Sequence, residues 1–428
     1  MSLQFIIGSS GIGKTHYACE QIIRESMENP QHLYYIIVPE QFTMQTQKNV
    51  VEMHPGKGTQ NIDVLSFQRL AYRIFEETGG AREVLLDDTG KSMVLQKLVQ
   101  QHRKNLPYLG SQMNKPGYLD EVKSLISEFM QYDIREEELQ DMLGKTGEDS
   151  LLHMKMQDVG VLYQAFLQYL EGHYMTGEGV MDALKKAIPF SDKLKKSVLL
   201  LDGFTGFTPV QMNVIRELLN VCDKVLVTVT MDAGENPLQM GKPHQLFYMS
   251  RKMIHTLSGL TSNLDDPILL KDERKGRFGN STSLDFLEKH LFRYRRSAYE
   301  KKQEEICIFA AESPVKELEE TARRIRRLVR EKNLKYGEIA VITGNLEAYK
   351  SIASQVFEES RIPYFLDEKH TILMNPFIEY IRAALEMVTK GFSYESVFRY
   401  LRCDMSGLGR EQVDMLENYV LALGIHGY

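Results

Sequence analysis

Short apolar runs and amphipathic stretches alternate along the start of the chain. Leu3, Phe5, Ile6 and Ile7 make the kind of run that a buried parallel strand needs. Tyr34 to Val38, stopped by Pro39, predicts a second strand, and Ile62 to Ser66 a third. Between the first two, Ala18, Ile22, Ile23 and Met27 share one helical face, with Pro30 following. After the third, Phe67, Leu70, Ala71, Ile74 and Phe75 repeat at helical spacing until Gly79 and Gly80. From about 87 to 190 the pattern changes. Leu119, Val122, Leu125, Ile126 and Phe129 form one helical stripe, and Val159, Leu162, Tyr163, Phe166 and Leu170 another. No strand is evident there, so a helical insertion is expected.

Strands return with Val198 to Leu201 and Lys224 to Thr230, around a helix near 209–220. A polar, irregular stretch covers 232–290. A second α/β series then begins at Ile306: strand "ICIFAA", a helix over 314–331, strand "EIAVIT" at 338–343, a helix over 345–360, and strand "PYFLDE". From Asn375 onward only helices are evident, and "ALGIHGY" closes the chain in or just after an amphipathic helix, as a truncated segment would.

The first strand runs into a chemical signal. Gly8, Ser9, Ser10, Gly11, Ile12, Gly13, Lys14 and Thr15 satisfy G-x-x-x-x-G-K-S/T. In such a loop the glycines let successive backbone N–H groups turn onto phosphates. The Lys reaches the β and γ oxygens, and the Thr hydroxyl meets Mg²⁺. Strand, glycine loop and helix occur in the order that aims a helix N-terminus at an anion. A glycine-rich turn that binds nothing is the bland alternative. ATP and Mg²⁺ are the expected cofactors.

A P-loop motor also needs a carboxylate for Mg²⁺ and a second acid to activate water. "SVLLLDGFTGFTP" places Asp202 after an apolar strand, where the Mg²⁺-associated acid belongs. The next residue is Gly203 rather than Glu, which weakens hydrolysis more than binding. Asp202 can also be read as the first half of an Asp-Gly turn. After "KVLVTVT", Asp232 is present but no Gln follows in the place of a γ-phosphate sensor.

Composition narrows the setting. With 428 residues there is room for two or three domains. A net charge of −6 means that any nucleic-acid site is a local patch rather than a global field. Cys19, Cys222, Cys307 and Cys403 are too far apart for a metal spacing or a disulfide framework, which fits a reducing cytoplasm. The chain enters a strand with no leader pattern, and no apolar run approaches membrane-spanning length, so no membrane partner is expected.

The segments after the second and third strands, "VPEQFTMQTQ" and "DVLSFQRLAYRIF", are candidate DNA contacts. Gln41, Thr43 and Ser66 can hydrogen-bond phosphate, Arg69 can meet it as a charge, and Phe42 can stack on a base. Phe67 sits on the apolar helix face and reads as core. "FRYRRSAYEKK" at 292–302 interleaves aromatic and basic residues, whereas "RRIRRLVREK" follows Glu317, Glu319 and Glu320 and reads as a salt-bridged solvent face. The paired acids Asp120-Glu121 and Glu136 to Glu138 read as surface solvation.

Two α/β units with helical insertions resemble the layout of a superfamily 1 helicase. In that layout residues 1–86 and 191–285 make a first RecA-like P-loop core and 87–190 a helical insertion. Residues 286–374 make a second RecA-like core and 375–428 the start of a second insertion. Within it, "FIIGSSGIGKT", "IIVPEQFT", "DVLSFQRLAYRIFEETGG", "GYLDEVKSLISEFMQYDI", "LLLDGFTGF", "YGEIAVIT" and "NPFIEYIRAALEM" resemble the N-terminal part of the AddB family. That resemblance implies a heterodimer with an AddA-type helicase/nuclease subunit and action on single-stranded and double-stranded DNA ends. It further implies break repair by recombination, recognition of Chi-like sequences, and an AddB chain that is not the motor. The family's 5′-3′ exonuclease domain and 4Fe–4S cluster cysteines lie further toward the C-terminus, and Cys403 does not match them. An active helicase, a P-loop kinase or another P-loop ATPase, and an ATP-free scaffold are the competing readings. A kinase has no need of the long helical block.

Overall fold

The computed structural model describes residues 2–80, 83–113, 115–147, 150–232, 234–271, 277–293, 297–367 and 372–427. It divides into two compact units, 1–306 and 307–428.

The first unit is built on a parallel sheet. β1 (Ser2–Gly8), α1 (Lys14–Glu28), β2 (Leu33–Ile37), α2 (Thr43–Met53), β3 (Ile62–Leu65) and α3 (Phe67–Thr78) alternate as the hydrophobic pattern predicts. A helical block follows: β4 (Val84–Leu86), α4 (Asp88–Gln101), α5 (Pro116–Gln131), α6 (Glu136–Gly144), α7 (Leu151–Leu170), β5 (Tyr174–Thr176) and α8 (Gly179–Ala187). The sheet resumes with β6 (Ser197–Leu201), α9 (Pro209–Val221), β7 (Lys224–Thr230), α10 (Tyr248–Ser258), β8 (Ile268–Leu269) and α11 (Thr282–His290). The order across the sheet is β3-β2-β6-β7-β1-β8, with every ladder parallel.

Both faces of the sheet are covered, which is why its strands are apolar at consecutive positions. On one face Phe5, Ile7, Tyr35, Ile37, Leu199, Leu201, Val225 and Val227 pack with residues of α3, α8, α9 and α10. On the other, Ile6, Tyr34, Ile36, Leu200 and Leu226 pack with Ala18, Cys19, Ile22 and Ile23 of α1 and with Val50 of α2. Each fully buried aliphatic side chain contributes about 1.5–3 kcal/mol. The helical block has a core of its own, centred on Leu95, Leu98, Ile126, Leu162 and Phe166.

Two sequence expectations are corrected here. The helical block contains a short parallel pair, β4 with β5, outside the main sheet. Three-residue strands are too short to declare a period. The stretch over 232–290, expected to be irregular, holds α10, β8 and α11.

The second unit contains α12 (Pro314–Glu331), α13 (Leu346–Glu359), α14 (Pro376–Thr389), α15 (Tyr394–Leu401) and α16 (Arg410–Leu423). The division between the two units falls at 306/307 in the chain. Leu318, Ala322 and Ile325 of α12 pack with Ala353, Val356 and Phe357 of α13. The runs expected as strands at 306–311, 338–343 and 363–368 form no ladder among the described residues, and Glu368 lies outside them. Ile308, Ile342 and Phe365 in these runs are exposed. β-propensity makes a chain ready to pair, but the ladder needs a neighbouring backbone.

Candidate functional site

Because every strand of the main sheet points the same way, the loops after β1, β2, β6 and β7 open on one edge. At the end of β1 the chain turns through Gly11 at φ 76° and Gly13 at φ 96°, the left-handed region that glycine enters without cost. A Cβ on Gly11 would come within 2.9 Å of the Phe278 ring. Ile12 is buried and anchors the loop to the core. Gly13 is the N-cap of α1 and no side chain caps the helix there. The first-turn amides are therefore left for a ligand.

Lys14 donates from Nζ to the Ser9 carbonyl at 2.9 Å. Burial pulls its pKa below the ordinary lysine value, while the charges of Asp202 and Glu288 act in the opposite direction. Thr15 Oγ1 donates to the Asp202 carboxylate, at 3.1 Å from Oδ1 and 3.0 Å from Oδ2. Thr228, on β7, donates to Asp202 Oδ1 at 2.6 Å. The Asp202 backbone amide donates to Ile37 of β2 at 3.0 Å. Asp202 is thus a buried strand-end acid aimed at the loop, and Gly203, at φ 79°, makes the turn after it. A hydroxyl and a carboxylate this close suit a hard divalent cation, which keeps most of its ligands from phosphate and water. No group of three or more His, Cys, Asp or Glu among the described residues forms an all-protein metal site. A cavity of about 720 Å³ opens here, lined by Gly13, Lys14, Thr15, Phe42, Asp202 and Arg277 among others.

Sequence reasoning missed three residues of this site. Thr228 was visible only as a hydroxyl inside an apolar strand. Glu288 and Arg277 lie in the polar stretch and carry no local signal. The Ser10 amide donates to Glu288 Oε1 at 3.3 Å, and the Arg277 amide donates to the Gly11 carbonyl at 2.8 Å. Asp232, at the end of β7, is paired with Arg293 at 2.9 Å. Burial raises its pKa, and Arg293 opposes that rise.

The two DNA-candidate segments lie side by side. Arg69 Nε is 3.3 Å from Glu40 Oε1, joining the loop after β2 to the start of α3. Thr43 is buried and donates to the Glu40 carbonyl at 2.9 Å. Ser66 is buried as the N-cap of α3, accepting from the Arg69 amide at 3.4 Å. Both hydroxyls serve the backbone, which leaves Gln41 and the Arg69 head exposed. Phe67 is core, packed against Phe204 and Phe207, while Phe42 is exposed and faces the cavity. In the run at 323–332, Arg323 and Arg324 both bond Glu320. The run at 292–302 includes residues 294–296, outside the described residues.

A family model described as "ADDB, N-terminal" matches residues 5–288, two thirds of the chain, with the loop and nearly all of the sheet just described. The chain belongs to the AddB family. A second model, the UvrD-like helicase C-terminal domain, matches residues 279–427. Among relatives, the B subunit of the ATP-dependent helicase/deoxyribonuclease of Lachnoclostridium phytofermentans is 42% identical over all of this chain and 38% of its own length. The protein of the same description from Clostridium novyi is 34% identical over all of this chain and 38% of its own. That from Caldanaerobacter subterraneus is 34% identical, with 37% of its length covered. This AddB chain therefore spans less than two fifths of the curated relatives it matches. No helix among its described residues is long and apolar enough to cross a membrane.

Proposed function

We propose that this chain is the helicase-like, ATP-binding part of the AddB half of a two-subunit helicase/deoxyribonuclease that prepares DNA double-strand breaks for recombinational repair. The observation that carries the reading is the alignment of Lys14, Thr15 and the buried Asp202 at one cavity, in a chain of the AddB family. Lys14 meets the β and γ phosphates and the loop amides cradle the rest. Thr15 and Asp202 would hold Mg²⁺, which when bound offsets phosphate charge. An AddA-type subunit is the partner and the motor. Gly203 stands where a water-activating acid is needed, and Asp232 is followed by no sensor Gln. In this reading the AddB chain guides single-stranded DNA over Gln41 and Arg69 and contributes to reading Chi-like sequences. A fold of two RecA-like cores in the cytoplasm belongs to the same proposal.

Equilibrium binding of a fluorescent ATP analogue tests it. Lys14→Ala should weaken binding at least about tenfold, the scale of one charge-assisted phosphate contact. Equal affinity in mutant and wild type rejects the site. The match to a helicase C-terminal domain favours a second reading, an active motor. ATP-dependent strand displacement by the purified chain would select it over the first.

A further inference from the structure

The P-loop is engaged by a segment that lies outside the sheet. The Arg277 amide holds the Gly11 carbonyl at 2.8 Å, and Phe278 lies against Gly11. The chain then enters α11, whose N-cap Ser281 accepts from the Leu284 amide. Beyond α11, Arg293 bonds Asp232 at 2.9 Å and lies over the Phe247 ring at 5.0 Å. α11 is therefore tied at both ends to the surroundings of the loop.

One acid of this helix points inward. Asp285 pairs with Lys289 at 3.0 Å along α11. Glu288 has no Lys or Arg partner within ion-pair distance among the described residues; instead it accepts the Ser10 amide, and its charge acts on Lys14. It is half-buried, with Asp232 and Asp285 as acidic neighbours and Arg293 as the basic one. A carboxylate that accepts from a P-loop amide makes a contact that a phosphate oxygen would make there.

We propose that Glu288 is a specificity-determining residue of the nucleotide site, a carboxylate that competes with the terminal phosphate for the Ser10 amide. The proposal rests on the ATP reading above. A phosphoryl group at the γ position must displace Glu288, whereas ADP ends at the β-phosphate and leaves it in place. The side chain thus lowers ATP affinity relative to ADP and keeps the site from saturating with ATP as tightly as the loop alone would.

The test is competition binding of ATP and of ADP, each with Mg²⁺, to the wild-type chain, Glu288→Gln and Glu288→Ala. Glu304→Gln serves as a control for net charge, and thermal melts establish matched folding. Glu288→Gln should tighten ATP about tenfold and change ADP by no more than about twofold. Glu288→Ala, which also removes the acceptor for the Ser10 amide, should do at least as much. Unchanged or weaker ATP binding in both variants overturns this inference while leaving the ATP site intact. Equal tightening of ATP and ADP overturns it too, because the acid would then act as bulk charge. Failure of wild type and variants alike to bind ATP removes the nucleotide reading and this inference together.

Discussion

At the scale of single residues, Asp202 organises the site. It accepts from Thr15 and Thr228 and is held in place through its own amide by β2. Its charge also reaches Cys19, whose thiol is pushed up to about 12, first by burial and then by Asp202. Burial likewise pushes Cys222 up to about 12, with the Ser197 hydroxyl pulling the other way. Only a thiolate attacks a disulfide reagent, so both groups are inert in the folded protein near neutral pH. Cys307 is exposed. Titration of the native chain with an aromatic disulfide should therefore show a fast phase lost in Cys307→Ser, and Cys19 and Cys222 should react only after denaturant is added. Four equally fast thiols in the native protein would contradict this burial.

At the scale of elements, a buried ion pair ties α4 to the start of α8, the helix of the block that packs on the sheet. Lys91 of α4 lies 3.0 Å from Glu178, just before α8, and their side chains are 8% and 11% exposed. Burial is the largest influence on Glu178 and pushes its carboxyl up. Hydrogen bonds involving its own backbone, Lys91 and Thr176 outweigh it, so the net pKa lies below the ordinary value. A carboxyl depressed on folding adds stability above its unfolded pKa, and that stability is lost as pH falls through the folded pKa. Lys91→Met leaves the acid buried without its counter-charge. The expected loss is about 3 kcal/mol at neutral pH, the lower end for a broken buried pair. Burial then dominates and Glu178 takes up a proton more readily, so the gap from wild type should narrow at acid pH. Urea midpoints at two pH values check the sign. A gap that is constant with pH would mean that Lys91 acts only through packing.

At the scale of the whole molecule, an acidic chain that handles DNA must do so along a narrow path. In the reading proposed above, the Arg69–Glu40 bridge is that path's resting contact, because both side chains are more than half exposed and a phosphate can replace Glu40. Gln41→Ala with Arg69→Ala should weaken single-strand binding about threefold to tenfold and lower the salt slope by about one unit, while ATP binding is kept. Salt-titrated fluorescence anisotropy reads both quantities. Identical slopes in wild type and double mutant would place the strand elsewhere on the protein.

The sequence by itself determined the parts whose signal is local. The strands at β1, β2, β6 and β7 were legible because burial on both sides demands apolar runs. The loop from Gly8 to Thr15 was legible as a pattern because its glycines and Lys-Thr pair stand at the spacing that a phosphate-binding loop would use. Helices α9, α12 and α13 announced themselves by period. Tertiary structure decided the rest. It brought Glu288 to Ser10 across 278 positions and Thr228 to Asp202 across 26, and no local pattern encodes either meeting. It turned Ser66 and Thr43 from candidate phosphate ligands into backbone caps, because a buried hydroxyl takes the nearest amide or carbonyl. It left the apolar runs at 306–311 and 338–343 without ladders among the described residues. A side chain's preference for a strand is a property of the residue, whereas the hydrogen bonds that make a sheet belong to a second backbone, and only the fold supplies one.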